Sequence, residues 1–329
     1  MKNMISDIKK PNNPLQPIHR LKAAVLLPLV LLCALFTDSM ATQAFGGERS
    51  QAPKPFVVWT HSDIQPRSSQ EKQNYLTALR DIRDSMATPD MAVFGGDIVQ
   101  HSHFREMFLW FMDVRKILPI REWYEIAGNH EWRAINEYRT IVRRDLRYAV
   151  QKGNILFLFM SNEEAGRRTH ISDDTFRWWE EKVRTGSGNI IITVTHGNLE
   201  GSGLISSSLE RLTVINSERF RKVLRRHRVD IWISGHSHFP GWMPKMHYRN
   251  VDLGGTVFID TGAIRRDFMT SIESRLLFLT PGSDTAILRY RDHLHRNYFT
   301  VSGYRIPLSH PFIPDSASKS VSAGSAIVK

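Results

Sequence analysis

The strings that decide this fold are Gly96-Asp97, Gly128-Asn129-His130-Glu131, His196-Gly197-Asn198 and Gly235-His236-Ser237-His238. Each string follows a run of apolar, β-prone residues and puts Asp, Asn or His where a strand gives way to a loop. Asp63 follows an earlier run of the same kind. Because ligands in open α/β sheets bind beyond the carboxyl ends of the strands, we expect these side chains to converge on one site.

Apolar runs alternate with helical patterns along most of the chain. Strands are predicted over 56–60, 91–94, 123–126, 155–159, 190–194, 230–233 and 256–259, and helices over 70–86, 104–117, 134–150, 175–183 and 217–227. Because strands that alternate with helices need crossover connections, the pattern predicts an α/β fold with a mainly parallel sheet. Near the end of the chain, residues 276–279 and 286–290 flank the turn sequence 281–284 and predict a hairpin.

The residue types in these strings indicate metal binding. Carboxylate and carboxamide oxygens suit hard divalent ions, whereas borderline ions such as Mn, Fe and Zn also accept imidazole. A bridging carboxylate can hold two such ions about 3.5–4 Å apart, the spacing that clamps a phosphoryl group. The mixture of Asp, Asn and His therefore predicts a two-metal site that activates water.

The composition is that of an ordinary globular protein. The chain has 329 residues, of which 41% are hydrophobic and 23% are charged. This length allows one large domain or two small ones. The formal charge of +11 favours anionic partners or surfaces without defining a fold. The one cysteine, Cys33, lies in an N-terminal apolar run, so the rest of the chain offers neither a disulfide nor a thiolate ligand.

The N-terminus has the pattern of an export signal. Basic residues precede an apolar run over 23–36, which is shorter than the roughly 20 residues of a membrane span, and small residues follow. We therefore predict a signal peptide over 1–44 and a periplasmic or extracellular protein. An uncleaved segment that anchors the chain to a membrane is the alternative. Residues 45–314 are predicted to form one domain, and the Ser- and Ala-rich residues 315–329 a disordered tail.

Taken together, these motifs resemble the calcineurin-like metallophosphoesterase superfamily. The pattern of that superfamily is D-x-H, G-D, G-N-H-[DE], a later His and then G-H-x-H, and the chain matches it in this order from Asp63 to His238. The resemblance implies an αββα sandwich, in which two mixed β-sheets are flanked by helices. It also implies hydrolysis of a phosphomonoester or phosphodiester by attack of a metal-bridging hydroxide.

The resemblance assigns a role to each matching residue. It implies two divalent ions, with Mn, Fe or Zn the expected metals. Asp97 would bridge both ions, Asp63 and His238 would hold the first, and three residues would hold the second: Asn129, His196 and His236. His130 would stabilise the transition state or protonate the leaving oxygen, and Glu131 would orient His130.

One position departs from the pattern, because Gln65 stands where the first motif ends in His. A Gln oxygen can ligate, but it is neutral and a weaker donor than imidazole towards Mn, Fe or Zn. The first ion could therefore bind loosely, be a harder ion or use a substitute ligand. Alternatively, a water fills the place and the enzyme still works.

Further residues near these loops are candidates for substrate binding. His101 follows the Gly-Asp string, and Arg67 and Arg133 lie beside metal-binding loops, where an Arg fork suits phosphate. Each of the three could equally be a solvated surface residue.

Several functional classes remain open at this point. The Gly-Asp string lacks the following Arg of the superfamily's protein phosphatases, which disfavours that activity. Nucleic acid as a substrate fits the charge, but no interleaving of aromatic and basic residues supports it. The rival from another class is a non-enzymatic metal- or anion-binding envelope protein with a degenerate site. The expected partner is a phosphate ester, no membrane domain is expected beyond the N-terminal segment, and the oligomeric state stays open.

Overall fold

A computed structural model describes residues 53–266, 271–299 and 303–315. The predicted signal peptide over 1–44 lies outside these ranges, as does the predicted tail after Asp315. Over the described ranges, every helix is too short or too polar to cross a membrane.

Thirteen strands and five α-helices make up the described fold. In chain order the strands are β1 (Phe56–His61), β2 (Met91–Phe94), β3 (Glu122–Glu125), β4 (Arg147–Lys152), β5 (Ile155–Met160), β6 (Ile190–Thr195), β7 (Ile231–Ser234), β8 (His247–Asn250), β9 (Thr256–Asp260), β10 (Glu273–Leu279), β11 (Thr285–Asp292), β12 (Asn297–Tyr298) and β13 (Tyr304–Pro307). The helices are α1 (Ser69–Ser85), α2 (Phe104–Val114), α3 (Ile135–Ile141), α4 (Asp173–Thr185) and α5 (Ser217–Leu224). Short 3-10 helices cover Arg115–Ile117, Glu131–Ala134, Ile205–Ser208, Glu210–Leu212 and Val251–Leu253.

The strands form two mixed sheets. The first has seven strands in the order β12-β11-β10-β1-β2-β3, with β13 paired to β11. The second has six strands in the order β4-β5-β6-β7-β9-β8. In both sheets the strands that precede the Asp, Asn and His strings are parallel, and antiparallel strands complete the edges.

The sheets lie between two layers of helices because alternate residues of each central strand serve different cores. Val58 of β1 and Ile231 of β7 contribute to the core shared by the two sheets. Trp59 of β1 packs with residues of α1 and α2 on the outer side of the first sheet. Trp232 of β7 packs with residues of α4 and α5 on the outer side of the second. This period-2 alternation gives four layers, and the predicted αββα sandwich is confirmed.

Two parts of the secondary-structure prediction were wrong. The helix predicted over 134–150 ends at Ile141, and Arg147–Lys152 forms β4, which pairs antiparallel with β5. The outer face of β4 is exposed, so the segment lacks the apolar alternation that marks a half-buried strand, and only its partner fixes its conformation. The short strands β8, β12 and β13 were not anticipated, because each lies at or near a sheet edge and carries few apolar residues.

Candidate metal centre

The five loops that follow β1, β2, β3, β6 and β7 bring the predicted site residues together. All five strands are parallel within their sheets, so their carboxyl ends lie at a common edge of each sheet. Asp63 follows β1, Asp97 follows β2, Asn129 follows β3, His196 follows β6 and His236 follows β7. This is the arrangement expected from the sequence, and predicted site residues up to 175 positions apart make direct hydrogen bonds.

Several of these residues hold an unusual backbone conformation. Asp63, Asp97, His236 and His238 all have φ between 53° and 67°, the left-handed region that non-glycine residues rarely adopt. Such strain persists only where the surrounding structure enforces it, and it is concentrated at functional sites. The surrounding structure therefore holds the backbone of these loops in a conformation that sets the direction of their side chains.

The second-metal position is the better formed of the two. His196 Nδ1 donates to the carbonyl of Gly95 over 2.8 Å, and His236 Nε2 donates to the carbonyl of Arg211 over 3.1 Å. When both rings are neutral, each presents the lone pair of its other nitrogen to the site, and these two nitrogens are 3.1 Å apart. Asn129 Oδ1 lies 3.1 Å and Asp97 Oδ2 3.2 Å from His196 Nε2. Four electron-pair donors thus meet at one point, which is the environment that a cation requires.

The electrostatics of this point favour positive charge. Burial by itself would lower the pKa of His196, but the carboxylate of Asp97 outweighs it and raises this pKa to about 10. Burial lowers the pKa of His236 to about 4, and the neighbouring charge of His196 acts in the same direction. The position thus attracts one positive charge strongly and resists a second proton, as a metal site does. Within the described ranges, Asp97, His196 and His236 are the one group of His, Cys, Asp or Glu ligand atoms that all lie within 4.8 Å of one another.

The first-metal position is built differently. Asp63 is fully buried, with Oδ1 3.0 Å from His238 Nε2 and Oδ2 accepting from the backbone amide of His236 over 2.9 Å. Ser62 also donates its hydroxyl to Asp63 Oδ2. Gln65 lies beside them, but its amide nitrogen donates to Asp97 Oδ2, and its oxygen accepts from Arg265. The structure thus brings Asp63, Gln65 and His238 to the site and ties each of them into hydrogen bonds.

His130 lies at the mouth of the centre, and its environment corrects one expectation. Its Nε2 is 3.8 Å from Asp97 Oδ2, and its Nδ1 donates to the carbonyl of Gln100 over 2.6 Å. This carbonyl, and not Glu131, orients the ring. Glu131 is buried and instead accepts from the backbone amides of the two ligand loops: Asp97, Ile98, Val99 and Gly128. Its role is to fix these loops, although burial and the nearby charge of Asp97 raise its pKa to about 7.

The predicted substrate residues are divided between two surfaces. His101 stacks on His130 with ring centroids 5.4 Å apart. His101 and Arg133 line a cleft of about 440 Å³ at the centre, together with Trp132 and Arg167. Arg67 lies in a neighbouring groove and forms an ion pair with Glu71 over 2.8 Å. The cleft is therefore lined by cationic and aromatic side chains, with Arg67 outside it.

The sequence analysis missed two residues at the centre, Arg265 and Gln100. Arg265 is 7% exposed and reaches Gln65 and, over 3.2 Å, Gln100 Oε1. Its contacts span 165 and 200 residues of sequence, and no local pattern reports such a distance. The one available signal was its place shortly after the strand predicted over 256–259.

The comparisons with known proteins agree with this geometry. The model of the calcineurin-like phosphoesterase family matches residues 56–240, more than half of the chain, and the chain belongs to this family. The prediction of a metallophosphoesterase is confirmed at this level. No curated protein sequence is significantly similar to the chain.

Solved structures share the fold at low sequence identity. A purple acid phosphatase from seeds of yellow lupin (Lupinus luteus) is 14% identical with a TM-score of 0.58, and the match covers 78% of this chain and 54% of that one. GAP50, described as the anchor in the inner membrane complex of Plasmodium, is 11% identical with a TM-score of 0.57, and the match covers 78% of this chain and 89% of that one. The chain thus spans about half the length of the lupin enzyme. These likenesses support the sandwich fold.

Proposed function

We propose that this chain hydrolyses a phosphate ester with the help of a divalent ion held by Asp97, Asn129, His196 and His236. The observation that carries the proposal is the meeting of two imidazole lone pairs with a carboxylate and a carboxamide oxygen within 3.1–3.2 Å of His196 Nε2. Mn, Fe and Zn suit this mixed donor set. An ion bound there lowers the pKa of water and draws charge from phosphoryl oxygens.

His130 is proposed to act on the leaving group. Its Nδ1–H is held by the carbonyl of Gln100, and its Nε2 faces the centre near Asp97. From this position the protonated ring can donate to the oxygen that departs from phosphorus. The neighbouring ring of His101 keeps it stacked at the mouth of the cleft.

The cleft beside the centre is proposed to receive the ester. Arg133 and Arg167 give it a cationic lining, and His101 and Trp132 add planar rings. Such a lining suits an anionic phosphomonoester or phosphodiester whose leaving group is small enough for about 440 Å³. Nucleic acid fits this lining less well, because basic and aromatic residues do not alternate along an extended groove.

The test of this function is hydrolysis of p-nitrophenyl phosphate and bis-p-nitrophenyl phosphate by the full chain with added Mn²⁺. We expect cleavage of at least one ester by the wild type, and a loss of at least 10³-fold in Asp97→Ala. Asp113→Ala, which removes an exposed carboxylate on α2, is the matched control and should keep full activity. Equal rates for Asp97→Ala and the wild type would overturn the assignment of Asp97.

A non-enzymatic role is the second candidate, and Gln65 is the observation that favours it. Gln65 stands where the family pattern has a metal ligand, and it accepts a hydrogen bond from Arg265. In addition, one of the proteins with the same fold is described as an anchor. This candidate predicts that the chain binds Mn²⁺ and inorganic phosphate but cleaves neither test ester under any metal. The retained His130 favours the enzyme, since holding a metal or an anion does not require it.

Export is proposed from the N-terminal sequence. Cell fractionation and N-terminal sequencing of the recovered protein would test it. We expect a mature chain that begins near Thr42 or Phe45 in the periplasm or the medium. A full-length chain in the membrane fraction would instead support the anchored alternative.

A further inference from the structure

The side-chain amide of Gln65 lies between a carboxylate and a guanidinium. Its Nε2 donates to Asp97 Oδ2, and its Oε1 accepts from Arg265 Nη1. The chemistry of the two neighbours fixes this orientation, because a flipped amide would set oxygen against carboxylate and NH2 against guanidinium. The one Gln65 atom able to ligate a metal is therefore committed to Arg265.

Arg265 is held firmly in this place. Its side chain is 7% exposed and also donates to Gln100 Oε1 over 3.2 Å. The backbone beside it is tied to the ligand loop, since the amide of Ile264 donates to the carbonyl of Ser62 over 3.2 Å. A guanidinium stays protonated in proteins, so a permanent positive charge lies against the first-metal position. Such a charge repels a divalent ion at the same place.

The acidic residue of the first position already has hydrogen-bond partners within the protein. Both carboxylate oxygens of Asp63 are already engaged by His238, the amide of His236 and the hydroxyl of Ser62. At the second position, by contrast, the two imidazole rings of His196 and His236 direct their protons away to backbone carbonyls. The residues at the second position fit a metal ion, and those at the first do not.

We propose that this chain binds a single divalent ion, at Asp97, Asn129, His196 and His236, and that the guanidinium of Arg265, linked to Asp97 through Gln65, supplies positive charge at the first-metal position. The proposal refines the metal site of the function proposed above and departs from the two-metal centre that the family pattern implies. Gln65 is then a positioning residue, which links Arg265 to the carboxylate of Asp97.

The test is the number of Mn²⁺ ions bound per chain. The full chain is stripped with chelator, equilibrated with excess Mn²⁺ and freed of unbound ion, and its metal is measured by mass spectrometry. We expect one ion per wild-type chain and two in the double variant Gln65→His with Arg265→Ala. Arg266→Ala removes the exposed neighbouring arginine and should leave one ion. Two ions in the wild type, or one in a folded double variant, would overturn the proposal.

A second measurement on the wild type does not depend on the variants. Electron paramagnetic resonance of the Mn²⁺-loaded chain should give the six-line spectrum of an isolated ion, whereas a spin-coupled pair would contradict the proposal. Activity separates this inference from the function it rests on. One bound ion without ester cleavage would support the single-ion site and reject the proposed function. Two bound ions with ester cleavage would support the proposed function and reject the single-ion site.

Discussion

His130 is the residue proposed to act on the leaving group. The Gln100 carbonyl holds its ring over 2.6 Å, and its Nε2 lies 3.8 Å from Asp97. We expect His130→Ala to lower kcat by about 10²–10⁴-fold, the usual contribution of a general acid, with bound Mn²⁺ unchanged. His103→Ala, which removes an exposed histidine from the loop between β2 and α2, should have little effect. Steady-state kinetics with bis-p-nitrophenyl phosphate would measure both, and a His130→Ala enzyme with normal kcat would contradict the role.

Gly128 is required because Asp97 approaches it closely. A Cβ at this position would lie 2.1 Å from Asp97 Oδ1 and 2.8 Å from its backbone amide. We expect Gly128→Ala to displace the carboxylate and to weaken Mn²⁺ binding at least tenfold, as measured by calorimetric titration. Gly188→Ala is the matched control, since nothing lies within 4 Å of its Cβ. Equal affinity in the two variants would show that Asp97 does not ligate the ion.

The sequence predicted the residues of the second-metal position but not the residues that hold them in place. Asp97, Asn129, His196 and His236 each directly follow a buried parallel strand, so their convergence follows from local patterns alone. Gln100 and Arg265 meet across 165 residues, and no local periodicity reports such a contact. The hydrogen bonds from backbone amides to Glu131 could not be predicted, for the same reason.

At the scale of elements, α1 is joined to the first sheet by a buried ion cluster. Asp81 of α1 accepts two hydrogen bonds from Arg291 of β11, over 2.7 and 2.8 Å, and a third from His293 over 2.8 Å. Burial by itself would raise the pKa of Asp81, but these bonds outweigh it and hold the pKa well below its usual range. The cluster fixes the helix that precedes β2, and with it the loop of Asp97.

The cluster predicts a pH-dependent stability. Because the folded pKa of Asp81 is depressed, its contribution is complete above the unfolded pKa of about 4 and is lost as the pH falls below it. We expect Asp81→Asn to lower the free energy of unfolding by about 3 kcal/mol at pH 7 and by progressively less below pH 4. Urea denaturation at several pH values measures this. Asp84→Asn, an exposed acid of the same helix, should leave stability unchanged, and a difference for Asp81→Asn that is constant with pH would contradict the account.

The element that sequence reasoning misjudged is β4. None of its residues Arg147–Lys152 is fully buried, so no strong apolar signal separated the strand from the helix before it. By contrast, β1, β2, β6 and β7 are buried along almost their whole length and were found from their apolar runs. Patterns of burial locate central strands well and edge strands poorly.

At the scale of the whole molecule, the site joins the two sheets. Asp63 and Asp97 come from the first sheet, and His196 and His236 come from the second. An ion bound by residues of both sheets binds the folded state and not the unfolded chain. We expect Mn²⁺ at 100 times its dissociation constant to stabilise the fold by about 2.7 kcal/mol, seen as a higher melting temperature. His196→Ala should abolish this increase, and His227→Ala, on the surface after α5, should preserve it.

The most direct test of the central claim is the anomalous scattering of Mn²⁺ in crystals of the metal-loaded chain. We predict an anomalous peak within bonding distance of His196 Nε2, His236 Nδ1, Asn129 Oδ1 and Asp97 Oδ2. A fully loaded crystal with no peak at this point, or with its peak elsewhere, would contradict the account of the site.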